Sequence, residues 1–387
     1  MDISYILNHL GEDRENYFNA VSPPIIQSSN FYFKDVDSLR NSFTDEKKVH
    51  LYTRGNNPTV EILRKKIAAL AGAEDALVFS SGIAAITAAV MTNVKAGDHI
   101  VCVKKPYSWT KRLFKVFLPR FGVEVTLVDG TNPQNFLNAI KTNTKLFFLE
   151  TPNSVTFELQ DIDAIVKMAK EKSIITILDN SYCTSLGQRC IEKGIDIEVH
   201  SASKYYGGHS DLVAGYLMSN RKMTDKIFDS ELLNMGAIVS PHDAWLLLRS
   251  LRTLPIRLER IKSTTEKIVA FMESHPQVYK IHYPFSKSFP QYSLAKKQML
   301  WCGGLFSAQI KARNIDEMEI FCNSLQRFLM AVSWGGHESL IIPSCSFYPK
   351  HNYDASVFPF NLLRFYIGLE EADILIDDLE QSFKKIV

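Results

Sequence analysis

Lys204 lies in Ser201-Ala202-Ser203-Lys204-Tyr205, directly after the run Ile195–His200. Lysine is ordinarily a solvated surface charge. Past a buried strand and among small hydroxyl residues, its amine can be desolvated and made nucleophilic. Asp179 opens Asp179-Asn180-Ser181 after the β-branched run Ile174–Leu178. An acid there can be a turn residue or helix cap, or a buried carboxylate paired with a cation. Ser80-Ser81-Gly82 separates the apolar run Ala76–Phe79 from the alanine-rich stretch Gly82–Val94. A strand, a tight turn and a helix N-terminus present free N–H groups and a positive dipole end to a phosphate. Each feature alone has a plain structural reading. Together, an amine for an imine, a carboxylate for a pyridinium nitrogen and a phosphate cup are a protein's parts of a pyridoxal phosphate site.

Such a site needs strand ends brought side by side. From about Asn57 the sequence alternates between strand and helix patterns. Strands are expected at Ala76–Phe79, His99–Val103, Val123–Val128, Leu146–Leu149, Ile174–Leu178, Ile195–His200 and Leu212–Met218. Helical spacing marks Thr59–Ala71, with Val60, Leu63, Ile67 and Leu70 on one face and Gly72 as a stop. Further helices are expected at Gly82–Val94, Ser108–Phe121, Asn135–Ile140 and Asp161–Lys172. Wholly apolar strands alternating with helices imply an α/β fold around a mainly parallel sheet covered on both faces. Ligands of such sheets sit beyond the C-terminal strand ends. Residues 1–50 read as an irregular arm, in which Ser22–Phe33 is suited to packing on another surface. After Ser240 a long helical run, Asp243–His275, is interrupted at Pro255, and shorter elements follow to Val387, consistent with a second α/β domain.

The 387 residues allow two or three domains, and 46% hydrophobic with 22% charged residues excludes disorder. Net charge is 44 − 42 = +2, with no basic–aromatic stripe, so nucleic acid is not an expected partner. No apolar stretch nears the roughly 18 residues of a membrane span. The N-terminus lacks the basic start and apolar core of a leader, so a cytoplasmic location is expected. Cys102, Cys183, Cys190, Cys302, Cys322 and Cys345 form no CxxC and no zinc spacing. They read as buried, reduced thiols, and no metal is expected.

Seven segments carry a resemblance: PPIIQSSNFYF (Pro23–Phe33), YTRGNNPT (Tyr52–Thr59), FSSGIAAI (Phe79–Ile86), LDNSY (Leu178–Tyr182), HSASKYYGGHSD (His200–Asp211), SWGGHESLI (Ser333–Ile341) and LLRFYIGLEEADILIDDLEQSF (Leu362–Phe383). Over nearly its whole length the chain resembles the Cys/Met-metabolism group of fold-type I pyridoxal-phosphate enzymes. The resemblance implies an arm (1–55) contributing to the partner subunit's site, a cofactor domain (56–240) with a mainly parallel seven-stranded sheet, and a smaller C-terminal α/β domain (241–387). It implies that Lys204 holds the cofactor covalently and that Asp179 pairs with its pyridine nitrogen. Ser201, Ser203 and the backbone N–H groups of Gly82 and Ile83 would bind the phosphate. Tyr107 would stack on the ring and stand with Lys204 in the catalytic set. Tyr52 and Arg54 would reach the phosphate of a neighbouring subunit, in a homodimer or homotetramer with shared sites. Arg364 would grip the substrate α-carboxylate beside Ser333 and Trp334. His209, Asp211 and Glu338 are expected only to hold loops. Two departures stand out. Tyr107-Ser108-Trp109-Thr110 replaces YGGT or YGCT, and Ser154 stands where an asparagine contacts the cofactor's phenolic oxygen. Asn153 is a candidate to take that place.

The family performs β-elimination, γ-elimination and γ-replacement on small sulfur amino acids. Members acting at Cγ often carry glutamate and leucine where this chain has Val332 and Trp334. Those two residues, the Ser154 stretch, and Leu248–Ile261 with Ser274–Pro284 resemble bacterial cystathionine β-lyases. The expected reaction is therefore cleavage of L-cystathionine to homocysteine, pyruvate and ammonia, in methionine biosynthesis. The N-terminal half resembles γ-synthases and γ-lyases, so cystathionine γ-synthase or a cystathionine/methionine γ-lyase is the alternative. A catalytically silent scaffold is a third reading, and the presence of Lys204, Asp179, Tyr107 and Arg364 argues against it.

Overall fold

Seven runs between residues 75 and 219 pair into one sheet: β1 (Asp75–Phe79), β2 (His99–Val103), β3 (Glu124–Val128), β4 (Thr144–Glu150), β5 (Ile175–Asp179), β6 (Ile197–Ser201) and β7 (Gly215–Ser219). The computed structural model describes residues 2–347, 349–352, 354 and 358–386. Strand order is β1-β7-β6-β5-β4-β2-β3. The five strands β2 to β6 pair in parallel, and β7 runs antiparallel to both β1 and β6. Every residue of β1, β2 and β7 is buried, which is why these runs carry no polar alternation. The edge strand β3 is partly exposed and correspondingly mixed.

Local sequence sets the helices. Asn57 caps Pro58–Ala71, Pro58 sits in its first turn, and Gly72 ends it at φ +69°. The Ser81 side chain caps Gly82–Met91 by accepting the Ala84 N–H at 3.2 Å. The expected single helix over Ser108–Phe121 is not uniform. It is α-helical to Arg112, widens to a π turn over Leu113–Phe117, and tightens to 3-10 over Leu118–Phe121. Pro119 removes an intrahelical donor there. β5 and β6 run one residue further than their apolar runs, so Asp179 and Ser201 are last strand residues.

The arm is less irregular than expected. It holds helices Ile3–Asn8 and Val36–Ser42, capped by Asp2 and Asp35, and a 3-10 turn at Arg14–Tyr17. Its start is pinned by Lys66, wholly buried in helix Pro58–Ala71. Lys66 Nζ donates to the Ile6 and Leu7 carbonyls at 2.9 and 3.1 Å and pairs with Glu12 at 3.0 Å. A buried ammonium needs such partners, because desolvation alone costs several kcal/mol.

Helices Pro241–Leu251 and Leu254–Ser274 meet at the expected break, with Pro255 in the first turn of the second. A five-stranded sheet follows: β8 (Val278–His282), β9 (Leu305–Ile310), β10 (Leu329–Met330), β11 (Leu340–Pro343) and β12 (Leu362–Tyr366), in order β10-β11-β12-β9-β8. It is antiparallel except for β10–β11. Helices Ile315–Ser324 and Ala372–Phe383 complete this part. One apolar cluster runs from the arm through helix Pro58–Ala71 into the five-stranded sheet, and a second fills the remainder of the large sheet.

Candidate active site

β4, β5 and β6 are neighbours, and their C-terminal ends carry Glu150, Asp179 and Ser201. Asp179 is 8% exposed. Its Oδ1 accepts the Ser181 N–H at 3.0 Å and the Ser181 hydroxyl at 2.6 Å. Ser181 Oγ in turn accepts the Ser201 N–H at 2.7 Å. Ser181 therefore ties the carboxylate to the end of β6, a role absent from the sequence expectations. Its signal was a hydroxyl two residues past an acid, the spacing of an Asx-type turn. Burial pushes the Asp179 carboxyl up, against the Ser181 donors and the charges of His200 and Lys204.

Lys204 follows in the loop after β6. Its Nζ meets the Ser333 hydroxyl and lies 5.6 Å from the centre of the Trp334 ring. Desolvation, then the Arg364 charge, lower its pKa to about 8, while Asp179 opposes them. An unperturbed lysine at pH 8 is neutral on the order of one part in 300, and this one is roughly half neutral. Gly335 lies directly on the lysine backbone. It has φ +93°, and a Cβ there would sit 2.7 Å from Lys204 Cα, so glycine is required. Trp334 packs edge-on against Tyr205 at 5.3 Å between ring centres.

Gly82 makes the cup. A Cβ on it would lie 2.8 Å from Ser201 Cα, so only glycine lets the helix N-terminus abut β6 this closely. Ile83, half-buried, follows in the first turn. Ser201 is half-buried at the rim. Ser203 is held within its own loop, where its Oγ accepts the Ala214 N–H at 3.0 Å.

The Tyr107 ring is 43% exposed, and its backbone N–H donates to Glu150 Oε2 at 2.6 Å. Burial raises its phenol pKa, and Asp179 and Glu150 add to the shift. Arg364 lies on β12 and donates from Nη1 to the Ser154 carbonyl at 3.3 Å. Desolvation lowers its guanidinium to about 10, so it stays charged at neutral pH. Ser154 donates its hydroxyl to Glu150 Oε1. Asn153 does not take the place expected of it. It is 5% exposed, its Oδ1 accepts the Phe157 N–H at 2.8 Å, and its Nδ2 bonds Glu158. Its side chain is committed to its own turn.

His209 bonds the Gly207 carbonyl at 2.7 Å and Ser250 at 2.9 Å, Glu338 accepts the Ser210 hydroxyl, and Asp211 is exposed. Tyr52 and Arg54 lie exposed on the arm, the guanidinium 5.5 Å from the centre of the tyrosine ring. All six cysteines are buried and free. Among the described residues no cluster of His, Cys, Asp and Glu could hold a metal, and no helix is long and apolar enough to cross a membrane.

The donor set fits pyridoxal phosphate. An amine of lowered pKa, a buried carboxylate and a glycine-lined helix N-terminus converge on adjacent strand ends, with an aromatic ring exposed nearby. The family described as Cys/Met metabolism PLP-dependent enzyme matches residues 5–384. An L-methionine gamma-lyase of Treponema denticola is 37% identical over 96% of this chain and 94% of its own length. A cystathionine gamma-lyase of Bos taurus is 35% identical over 97% and 92%. The crystal structure of metB from Corynebacterium glutamicum superposes with a TM-score of 0.91 at 33% identity, covering 99% of this chain and 98% of that one. Fold, strand-end chemistry and these matches lead to one assignment: the chain belongs to the Cys/Met-metabolism family of pyridoxal-phosphate-dependent enzymes.

Proposed function

We propose that the protein eliminates the sulfur substituent from Cγ of a small sulfur amino acid, as a methionine or cystathionine γ-lyase does. The observation that carries this reading is 35–37% identity over nearly the full length to enzymes named γ-lyases. It replaces the expected cystathionine β-elimination with the alternative held beside it.

Pyridoxal phosphate, when bound, supplies the electron sink for negative charge at the substrate Cα. Lys204 would hold the cofactor through Nζ, and its amine, freed when substrate binds, would take the Cα proton. A γ-elimination also removes a proton from Cβ. The Lys204 amine, which meets the Ser333 hydroxyl, would take it only after handing on the first, and the sulfur would leave Cγ as a thiolate that a proton then neutralises. Asp179 would keep the pyridine nitrogen protonated. Ser201, Ser203 and the N–H groups of Gly82 and Ile83 would hold the phosphate. Tyr107 would cover the ring, and Arg364, with Ser333 and Trp334, would bind the α-carboxylate. The arm 1–55 serves a neighbouring subunit, residues 56–240 carry the cofactor, and residues 241–387 carry the carboxylate grip. A cytoplasmic homo-oligomer is the setting that fits.

A second reading, β-elimination, is favoured by one feature. Val332 offers no carboxylate for a distal ammonium, and Trp334 stands over Lys204. Keto-acid analysis with L-methionine and L-cystathionine separates the two. γ-Elimination gives 2-oxobutyrate from both, with methanethiol and cysteine as the thiols. Pyruvate and homocysteine from cystathionine would overturn the γ reading and leave the family standing. Trp334→Leu is expected to raise the 2-oxobutyrate share further, because orientation of the breaking bond against the ring plane is worth several kcal/mol.

Sharing of sites is tested by hybrids. Arg54→Ala subunits mixed with Lys204→Ala subunits should form dimers in which one site is free of both lesions. Activity should return on mixing. Verified hybrids without activity contradict the cross-subunit role of Arg54.

A further inference from the structure

Glu150 closes β4, is 5% exposed, and has no part in the roles above. Yet three elements of the site meet on it. Its Oε2 accepts the Tyr107 N–H at 2.6 Å. Its Oε1 accepts the Ser154 hydroxyl, and the Ser154 carbonyl accepts Arg364 Nη1 at 3.3 Å. Asp179 is its direct partner in the β4–β5 register. Tyr107, Arg364 and Asp179 come from distant parts of the sequence, and Glu150 touches the first directly, the second through Ser154, and lies beside the third on the neighbouring strand.

We propose that Glu150 is a positioning residue that sets the Tyr107 ring and the Arg364 guanidinium together, coupling the face of the cofactor to the grip on the substrate carboxylate. The inference rests on the functional reading above, from which it takes the roles of Tyr107 and Arg364.

A buried carboxyl is costly unless its oxygens are hydrogen-bonded, and both oxygens of Glu150 are. Burial and then the adjacent Asp179 push its pKa up to about 8. Two buried carboxyls side by side do not both ionise readily. Asp179, unlike Glu150, also faces the charges of His200 and Lys204, which lower its pKa, so the shared proton favours Glu150. A neutral Glu150 holds its neighbours without competing for the guanidinium that the substrate carboxylate needs. It also leaves the charge of Asp179 free to face a cation.

The test uses the full-length holoenzyme and its best amino-acid substrate. In Glu150→Ala, KM should rise by about tenfold or more, the size of one lost hydrogen bond to a charged group. The visible absorbance of the bound cofactor should shift, and the cofactor should be lost faster on dialysis. Ser154→Ala should raise KM without moving the absorbance. The double variant should have the KM of Glu150→Ala alone, because both lesions lie on one path. Glu150→Gln, the shape of the neutral carboxyl, should bring KM back to within about threefold of the parent. A folded Glu150→Ala with unchanged KM and absorbance, or KM effects that add in the double variant, overturns the proposal. If Glu150→Ala does not fold, Ser154→Ala decides: a raised KM supports the path and an unchanged KM overturns it. A parent enzyme that binds no cofactor at all would instead sink the functional reading.

Discussion

Lys204→Ala is expected to abolish turnover while leaving the fold intact. Its side chain is half-buried in a loop whose backbone is fixed independently, since Gly208 N–H reaches the Lys204 carbonyl at 2.7 Å and Gly335 packs on Lys204 Cα. What disappears is the amine. Desolvation, then the Arg364 charge, hold that amine near a pKa of 8, so it is available as base and nucleophile at neutral pH. Loss of a general base alone costs about 10²–10⁴-fold, and loss of the covalent tether adds to it. Turnover measured with excess cofactor should fall by at least about 10⁴-fold. The cofactor should still bind through Asp179 and the cup, but dialyse away. A variant that keeps parental turnover would show that another group does the proton transfer.

Arg364→Ala carries the second large effect. Charge-assisted hydrogen bonds are worth about 1.5–3 kcal/mol, so loss of a two-pronged grip on a carboxylate should lower kcat/KM by about 100-fold or more. Most of that should appear in KM, because the carboxylate is held equally before and during the reaction. Arg364→Lys should recover only part, having no planar fork. Removing the guanidinium also removes a charge that depresses the Lys204 pKa. The midpoint of the pH dependence of cofactor attachment should therefore move up from about 8, because the ammonium form is no longer repelled. Unchanged KM with an unchanged midpoint would place the substrate carboxylate elsewhere.

Much of the scaffold was legible because burial leaves a mark. β1, β2 and β7 are buried throughout and, apart from Asp75, His99 and Ser219 at their ends, carry no charged or strongly polar residue. Lys204 and Asp179 were legible for the complementary reason: each breaks an apolar run at the end where parallel sheets bind ligands. Strand direction leaves no such mark, so the antiparallel β7 was invisible. The π and 3-10 winding of residues 113–121 depends on packing around Pro119 rather than on periodicity. Glu150 leaves no mark in the sequence, because the apolar run ends at Leu149 and an acid after it looks like any loop acid. Its register against Asp179 and its bonds to Tyr107 and Ser154 reveal it. The contact of Ser333 with Lys204 spans 129 residues, and the resemblance placed Ser333 beside Arg364 rather than beside the lysine. Reaction choice is not legible from single residues: Val332 and Trp334 resemble β-lyases, while nearly the whole chain is similar to proteins named gamma-lyases.

Every role proposed for the site depends on Lys204 carrying the cofactor. Reducing the holoenzyme with borohydride fixes the cofactor to whichever amine holds it, and peptide mass analysis then locates it. The label is predicted on the peptide containing Ser201-Ala202-Ser203-Lys204, lost in Lys204→Ala and retained in Arg364→Ala. A label on any other lysine, or none from an enzyme that shows the cofactor's visible absorbance, would contradict the site described here.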